Sequence, residues 1–270
     1  MPLINGVASG ALDLRDRGLA YGDGVFRTLR LHDGQALLWD RHYRKLAHDC
    51  AVLKLSCPDP ALLARELTQA SAGEPAGVGK ITITRGPGAR GYALPLRPQP
   101  TRIVSVSPAP MRPAEWVTDG VRVRLCATRA TFQPALAGIK HLNRLDSVLA
   151  RAEWDDAEIA EGLLLDHRGD LVGGTMSNLF LAERGALVTP DLAGGGIAGV
   201  QRERLLEHAV SHGVATRVEP VSVARLAAAD EVFLVNSVID LWPVRAIDGV
   251  GIWAPGPLTT AAARWLRDGD

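Results

Sequence analysis

Lys140 is the residue with the clearest potential for covalent chemistry. The chain has four lysines among its 30 basic residues: Lys45, Lys54, Lys80 and Lys140. Lys45 and Lys54 lie in a charged helical stretch and Lys80 precedes a strand, whereas Lys140 follows the apolar run 135–139. An apolar environment lowers the pKa of an amine, which can then act as a nucleophile and a base. From this residue alone, a structural lysine at a helix start is the alternative.

Two segments have the composition of an anion-binding site. Residues 196–201 (GIAGVQ) place backbone N–H groups at the start of a predicted helix, where the helix dipole favours phosphate. The segment 236–238 (NSV) ends a buried strand with amide and hydroxyl donors, and Arg44 could add a guanidinium. The structural alternatives are a glycine turn and a surface arginine. A reactive lysine with an anion site is what an aldehyde cofactor that carries a phosphate requires.

The apolar periodicity predicts a strand-rich α+β fold in two halves. Lys140 stands at the head of a long helical pattern that continues to Glu153. In the first half we expect strands at 3–7, 25–31, 80–85 and 103–106, and helices at 40–55 and 60–71, the second stopped by Gly73 and Pro75. In the second half we expect strands at 121–125, 179–182, 214–218 and 231–235, a hairpin at 163–172, and helices at 201–212, 222–229 and 257–267.

Prolines at 108, 110 and 113 mark a stiff segment after which the strand pattern restarts. We therefore predict an N-terminal α/β domain at 1–110, an interdomain linker at 111–119, and a C-terminal, β-barrel-like α/β domain at 120–270. The last of these would carry Lys140.

Composition limits the classes of function. The formal net charge is zero, which argues against nucleic-acid and polybasic membrane partners. The chain contains no apolar run long enough to span a bilayer, and its start lacks the pattern of a signal peptide. Three cysteines without metal-like spacing indicate reduced thiols, and the seven histidines suggest no metal site. We expect a cytoplasmic protein with a small-molecule substrate and no metal.

Five blocks follow one another in order along nearly the whole chain: DRGLAYGDGVF at 16–26, HYRKL at 42–46, IKHLNRL at 139–145, SNLF at 177–180 and GVQR at 199–202. This order resembles the fold-type IV pyridoxal-phosphate enzymes, which include branched-chain and D-amino-acid aminotransferases and aminodeoxychorismate lyase. The resemblance implies the two-domain architecture of those aminotransferases, pyridoxal 5'-phosphate as cofactor, and a homodimer. The site would lie between the two domains of each subunit, with loops of the partner closing it.

Further blocks are closer to the lyase branch: ITRGPGARGY at 83–92, KHLNRL continued by VLAR at 148–151, and NS ahead of WPV at 242–244. Aminotransferases usually have threonine at the positions of Gln201 and Ser237. The resemblance thus implies elimination of pyruvate from 4-amino-4-deoxychorismate to give 4-aminobenzoate, a step of folate biosynthesis. The alternatives are an aminotransferase of the same fold and a catalytically decayed cofactor-binding protein.

The resemblance also implies roles for individual residues. Lys140 matches the Schiff-base lysine, which also shuttles protons, and Arg44 matches an arginine at the cofactor phosphate. The phosphate contacts match Val200 and Gln201 at a helix start and Ser237 with Val238 in a second loop. Asn178 is expected to play a supporting role beside the cofactor ring.

The sequence departs from the family pattern at two positions. Relatives have a glutamate five residues before the asparagine matched by Asn178, and it pairs with the cofactor's ring nitrogen; this chain has Gly173. The lyase reaction, which forms an aromatic ring, should tolerate that loss better than transamination. Asp170 is the nearest acid in sequence, but a turn position makes it a poor substitute. The second departure is Arg27, where relatives often have glutamate or threonine.

The two carboxylates of the lyase substrate call for arginine partners. We expect Arg90 first, because its glycine-rich loop is too open to be a packing element, and then Arg85 and Arg97. Arg27 is a further candidate, with the solvent face of its strand as the alternative.

Overall fold

The computed structural model describes residues 1–71 and 76–268, which divide into two compact units. The first contains Met1–Pro110 together with Ile139–Asn143, and the second contains Met111–Gly138 and Arg144–Asp270. Lys140 thus groups with the first unit, although the sequence prediction placed it in the second domain. The reason is local, since residues 140–142 bond to a strand of the first unit, as described below.

The first unit is a six-stranded sheet with three helices. The strands are β1 (Leu3–Ile4), β2 (Val7–Ala8), β3 (Gly24–His32), β4 (Gln35–Ala36), β5 (Ala76–Thr84) and β6 (Thr101–Pro108). They are ordered β2-β1-β6-β5-β3-β4, and each neighbouring pair is antiparallel. The helices are α1 (Arg17–Tyr21), α2 (Trp39–Val52) and α3 (Pro60–Ala70). The predicted helix stop at Gly73 and Pro75 lies outside the described residues.

Buried residues alternate along β3 and β5. They pack against the inner faces of α2 and α3 and form one apolar core. Buried members include Leu29, Leu46, Leu63, Leu67 and Ile81. The N-terminus of α3 is fixed by Asp59, whose carboxylate accepts from the N–H of Leu62 at 3.0 Å, with Pro60 at the first helical position. The core therefore holds α2 against the sheet, and α2 carries polar residues of the site.

The second unit has a nine-stranded mixed sheet. Its strands are β7 (Val121–Arg129), β8 (Ile159–Leu165), β9 (Leu171–Gly174), β10 (Asn178–Glu183), β11 (Ala186–Pro190), β12 (Thr216–Glu219), β13 (Glu231–Asn236), β14 (Asp240–Ile247) and β15 (Gly251–Ile252). The order is β12-β11-β10-β13-β14-β7-β8-β9, with β15 on β14. The helices are α4 (Glu115–Thr118), α5 (Leu145–Arg151), α6 (Val200–Ser211), α7 (Val223–Ala227) and α8 (Pro257–Asp268). The mixed α+β class predicted from the sequence is confirmed.

The long helix predicted after Lys140 is wrong. Helix α5 has seven residues and begins at Leu145. Residues 140–142 are extended because their backbone groups bond to β3, and tertiary pairing overrides the helical pattern. Leu145, Val148 and Leu149, which belong to that apolar pattern, are 74%, 59% and 60% exposed.

A search of the described residues for a helix with the length and apolarity of a membrane span found none.

Candidate active site

Lys140 lies on an extended segment attached to β3. The N–H of Phe26 donates to the carbonyl of Lys140 at 2.9 Å, and the N–H of Leu142 donates to the carbonyl of Gly24 at 3.0 Å. A Cβ at Gly24 would lie 2.5 Å from the carbonyl oxygen of Ile83 and 2.8 Å from Cδ1 of Leu142. The glycine of the GDGVF block thus permits the close approach that places the lysine.

The amine of Lys140 lies against an aromatic ring. Its Nζ is 4.5 Å from the ring centroid of Phe26, and Nζ of Lys80 is 5.2 Å from the same centroid. An ammonium group is attracted to the face of such a ring, so Phe26 holds the lysine side chain in a defined position.

Helix α2 brings a buried carboxylate to the same segment. Asp49 is fully buried, and its Oδ2 accepts from the backbone N–H of Lys140 at 2.9 Å. The same oxygen accepts from Nη2 of Arg27. His42, about two turns before Asp49 on the same face of α2, stays neutral because burial, and then the charges of Arg27 and Lys140, lower its pKa to about 3.

Arg44 is exposed on α2, whereas the next residue, Lys45, is half-buried. Lys45 lies three residues after His42 and four residues before Asp49, so helical spacing places it on the face that carries both. The backbone carbonyl of Lys45 also accepts from Nη2 of Arg27 at 3.3 Å. The role of Arg44 stays a prediction, and the geometry favours Lys45 as the basic residue of α2 on this face.

Two of the four arginines expected at the substrate are buried in ion pairs. Arg27 is 3% exposed and pairs with Asp49. Arg85 is 4% exposed, and its Nε and Nη2 donate to the two carboxylate oxygens of Asp23 at 2.8 and 2.9 Å. Its remaining N–H groups donate to the carbonyls of Leu53 and Lys54 at 2.7 and 3.0 Å. These contacts favour structural roles for both arginines.

Arg90 and Arg97 are exposed on the loop between β5 and β6. The loop is anchored by Arg17, whose Nη1 donates to the carbonyl of Gly91 at 2.8 Å. The ring centroids of Tyr21 and Tyr92 are 5.4 Å apart. The loop is therefore fixed where it leaves the sheet, and the side chains of Arg90 and Arg97 are exposed to solvent.

In the second unit, Asn178 fixes the loop before α6. Its Nδ2 donates to the carbonyl of Ile197 at 2.7 Å, and its Oδ1 accepts from the N–H of Gly199 at 3.2 Å. A Cβ at Gly199 would lie 2.5 Å from that oxygen, so only glycine allows the approach. Asn178 thus positions the start of the helix.

The first turn of α6 has the properties of an anion site. Gly199 is its N-cap, and no side chain of the described chain caps the helix. Val200 and Gln201 therefore present uncapped N–H groups at the positive end of the dipole. The side chain of Gln201 is used elsewhere, because Nε2 donates to Asp240 at 3.0 Å and Oε1 accepts from Arg204 at 2.9 Å. Only the backbone of Gln201 is available to a ligand.

The turn after β13 contains Ser237 and Val238. The side chain of Asn236 accepts from the N–H groups of Val238 and Ile239 at 2.8 and 2.9 Å. The N–H of Val238 is therefore engaged within the turn, whereas Ser237 is half-buried on it. Of these two residues, Ser237 is therefore the better hydrogen-bond donor to an anion.

Comparison with known proteins gives a family and close relatives. Residues 24–247 match the class IV amino-transferase family. The chain belongs to this family. It is 35% identical over 245 residues to an aminodeoxychorismate lyase of Vibrio harveyi, with 90% of each chain covered. A putative branched-chain-amino-acid aminotransferase of Methanocaldococcus jannaschii is 31% identical over 87% of this chain and 82% of its own.

The crystal structure of 4-amino-4-deoxychorismate lyase from Pseudomonas aeruginosa is 47% identical and superposes with a TM-score of 0.93. The superposition covers 100% of this chain and 99% of the Pseudomonas aeruginosa chain. The family and fold-type IV architecture predicted from the sequence are confirmed.

At the position of the family glutamate, Gly173 has φ +155°, and a Cβ there would lie 2.9 Å from the carbonyl oxygen of Ser177. The buried acid nearby is Glu161 on β8, whose carboxylate accepts from the hydroxyls of Thr175 and Ser177 at 2.5 and 2.8 Å. It also accepts from the N–H of Met176 at 3.1 Å. Glu161 is therefore committed to shaping the turn between β9 and β10. Asp170 lies just after the turn at 167–169 and forms an isolated antiparallel bridge with Ser222.

The sequence reasoning missed Asp49 and Glu161, and it took Asn236 as a donor to an anion, whereas its side-chain oxygen accepts from the N–H groups of its own turn. Asp49 had a signal, because it is a charged residue on the apolar stripe of α2 between Leu46 and Cys50. Glu161 is likewise the one charged residue of the otherwise apolar strand β8. The capping role of Asn236 gave no signal, since asparagine after a strand is common in ordinary turns.

Proposed function

We propose that this chain is an aminodeoxychorismate lyase, which eliminates pyruvate from 4-amino-4-deoxychorismate to give 4-aminobenzoate, a precursor of folate. The observation that carries the proposal is the likeness to the Pseudomonas aeruginosa lyase over the whole chain, at 47% identity and a TM-score of 0.93. The lysine-bearing segment fixed to β3 gives this likeness a chemical basis, because the reaction needs a placed amine.

The residues present fit pyridoxal 5'-phosphate, the cofactor of this family. A phosphate suits the uncapped start of α6, where Gly199 allows close approach to the backbone. When bound, the cofactor supplies an aldehyde that links to an amine and a ring that withdraws electrons. We propose Lys140 as the linking lysine, and Val200, Gln201 and Ser237 as phosphate donors. Asn178 acts indirectly, by holding residues 197–199.

Lys140 has a second role as the group that moves protons. Its amine takes the proton from the substrate carbon that bears the amino group and gives one to the departing enolpyruvyl group. The ring of Phe26 lies 4.5 Å from the amine and limits where the lysine side chain can move. The carbon–oxygen bond to the enolpyruvyl group breaks, and the aromatic ring that forms supplies much of the driving force.

Charged residues on the first unit are proposed to bind anions of the cofactor and substrate. Lys45, rather than the exposed Arg44, lies on the polar face of α2. Arg90, with Arg97 second, is proposed for the substrate carboxylates because both are exposed on an anchored loop. Arg27 and Arg85 are left out of this set because their N–H groups bind carboxylates and carbonyls of the chain.

The protein is further proposed to act as a cytoplasmic homodimer. The support for a dimer is helix α5, where the exposed side chains of Leu145, Val148 and Leu149 share one helical face. The support for the cytoplasm is the state of Cys50, Cys57 and Cys126, which are all free thiols.

An amino-acid aminotransferase is the second candidate, since the Methanocaldococcus jannaschii relative is 31% identical. Gly173 weighs against it, because transamination depends more on a protonated cofactor ring. The aminotransferase would need a 2-oxo acid for each turnover, whereas the lyase would not.

The test begins with the visible spectrum of the cofactor-loaded protein before and after borohydride, followed by peptide mapping. The proposal expects a reduced pyridoxyl label on Lys140 and none on Lys45, Lys54 or Lys80. A colourless protein that takes up no added cofactor would overturn it and leave a decayed enzyme.

A further inference from the structure

The backbone of Lys140 is held by one side chain. Its carbonyl accepts from a backbone group, the N–H of Phe26, but its N–H donates to Oδ2 of Asp49 at 2.9 Å. Asp49 lies 91 positions earlier in sequence, on α2. The placement of the lysine therefore depends on a carboxylate that a substitution can change without altering the backbone pairing.

The carboxylate of Asp49 has no access to solvent, and a buried charge requires a partner. Arg27 supplies it from β3, with Nη2 on the same oxygen that accepts from Lys140. Arg27 is itself 3% exposed and is held by the carbonyl of Lys45 at 3.3 Å. The two side chains thus form a pair without net charge beside the backbone of Lys140.

Several other charged or titratable groups face this region. Helix α2 contributes His42 and Lys45, β5 contributes Lys80 across the ring of Phe26, and His141 follows the lysine itself. His42 is neutral at all pH values above about 3, its pKa. Asp49 is the one acid in this set. Alone, its negative charge would favour the protonated form of a neighbouring amine.

We propose that Asp49 and Arg27 are positioning residues for Lys140: Asp49 fixes its backbone, and Arg27 cancels the carboxylate charge that would otherwise keep the amine protonated. This inference rests on the proposed function for the importance of the amine, but the contacts themselves do not depend on it. The pair attaches the lysine segment to α2 without adding a net charge.

The test uses the full chain and three variants: Asp49→Asn, Arg27→Gln and the double variant. Asparagine keeps an oxygen that can accept from the N–H of Lys140, so Asp49→Asn removes the charge with little change of shape. The cofactor-free chain is labelled with acetic anhydride across a pH series, and mass spectrometry gives the pH of half-maximal labelling for each lysine. Lys54 is the internal reference.

The two single variants should shift the labelling of Lys140 in opposite directions. Arg27→Gln leaves the negative charge of Asp49 without its partner and should raise the pH of half-maximal labelling of Lys140 by about one unit. Asp49→Asn leaves the positive charge of Arg27 without its partner and should lower that pH by a similar amount. The double variant should return to the wild-type midpoint, with Lys54 unchanged throughout. The pH of the visible spectral transition in the cofactor-loaded protein should move in the same directions.

Equal midpoints, or shifts of the same sign in both single variants, would overturn the proposal. If Arg27→Gln fails to fold, Asp49→Asn and the double variant still decide it, since they differ only at position 27, where the first keeps an unbalanced positive charge and the second has a neutral glutamine. Failure of the proposed function looks different: the borohydride label would be absent from Lys140, while the opposite labelling shifts would persist.

Discussion

Gly173 offers the sharpest test of how this chain differs from its family. Its φ of +155° lies in a region that favours glycine, and an added Cβ would lie 2.9 Å from the carbonyl oxygen of Ser177. That oxygen already accepts from the N–H of Gly174 at 2.8 Å. Restoring a glutamate here must therefore displace the turn that Glu161 holds.

The cost follows from that geometry. A non-glycine residue in such a conformation costs about 1–3 kcal/mol. For a unit of this size, each kcal/mol lowers Tm by about 2–4 °C. Gly173→Ala, Gly173→Gln and Gly173→Glu should share this loss, because all three add the same Cβ. Gly10→Ala is the control, since a Cβ at Gly10 meets nothing within 4 Å.

The assay separates the strain from the charge. Gly173→Gln matches Gly173→Glu in shape, so the ratio of their lyase rates isolates the effect of a carboxylate. We expect no gain of Gly173→Glu over the wild type, because ring aromatisation drives the reaction and the glycine backbone is built into the turn. A Tm equal to the wild type, or a rate raised about tenfold or more by glutamate alone, would refute the reasoning and make the glycine a defect.

Three further outcomes are expected. Arg90→Ala should raise KM for 4-amino-4-deoxychorismate with little change in kcat, and Arg15→Ala, another exposed arginine, should leave steady-state kinetics unchanged. Asn178→Ala leaves the N–H of Gly199 without its acceptor and should weaken cofactor binding about tenfold in a fluorescence titration; unchanged affinity would contradict its role. Burial would raise the pKa of Asp23, but hydrogen bonds from Arg85 and Arg17 outweigh it and hold that pKa below its usual value. The resulting stability is present above about pH 4 and is lost as pH falls through the lowered pKa, so Asp23→Asn should flatten the acid limb of a urea-unfolding series; an unchanged acid limb would exclude Asp23 as its source.

Much of the fold was predictable because its strands and helices have strong periodic patterns. Strand β3 and helices α3 and α8 lie within a few residues of their predicted bounds. The failure at residues 140–145 has a physical reason, since apolar spacing cannot tell a helix from a segment whose backbone pairs with a distant strand. The apolar residues of α5 that completed the pattern lie on its exposed face.

The candidate site likewise has features that the sequence predicts and features that it does not. The glycine-led start of α6 and the isolation of Lys140 among arginines were visible in the sequence, because they depend on local composition. The burial of Arg27 and Arg85 was not, because their partners Asp49 and Asp23 reach them only through tertiary packing. An arginine in a strand has the same local signature whether it binds substrate or a buried acid.

The central claim is tested most directly by incubating the cofactor-loaded protein with 4-amino-4-deoxychorismate, without any 2-oxo acid, and quantifying products by chromatography. The account predicts equal amounts of 4-aminobenzoate and pyruvate over many turnovers, and a rate at least about 10²-fold lower for Lys140→Ala. Unchanged substrate, or turnover only after a 2-oxo acid is added, would contradict it and favour the aminotransferase.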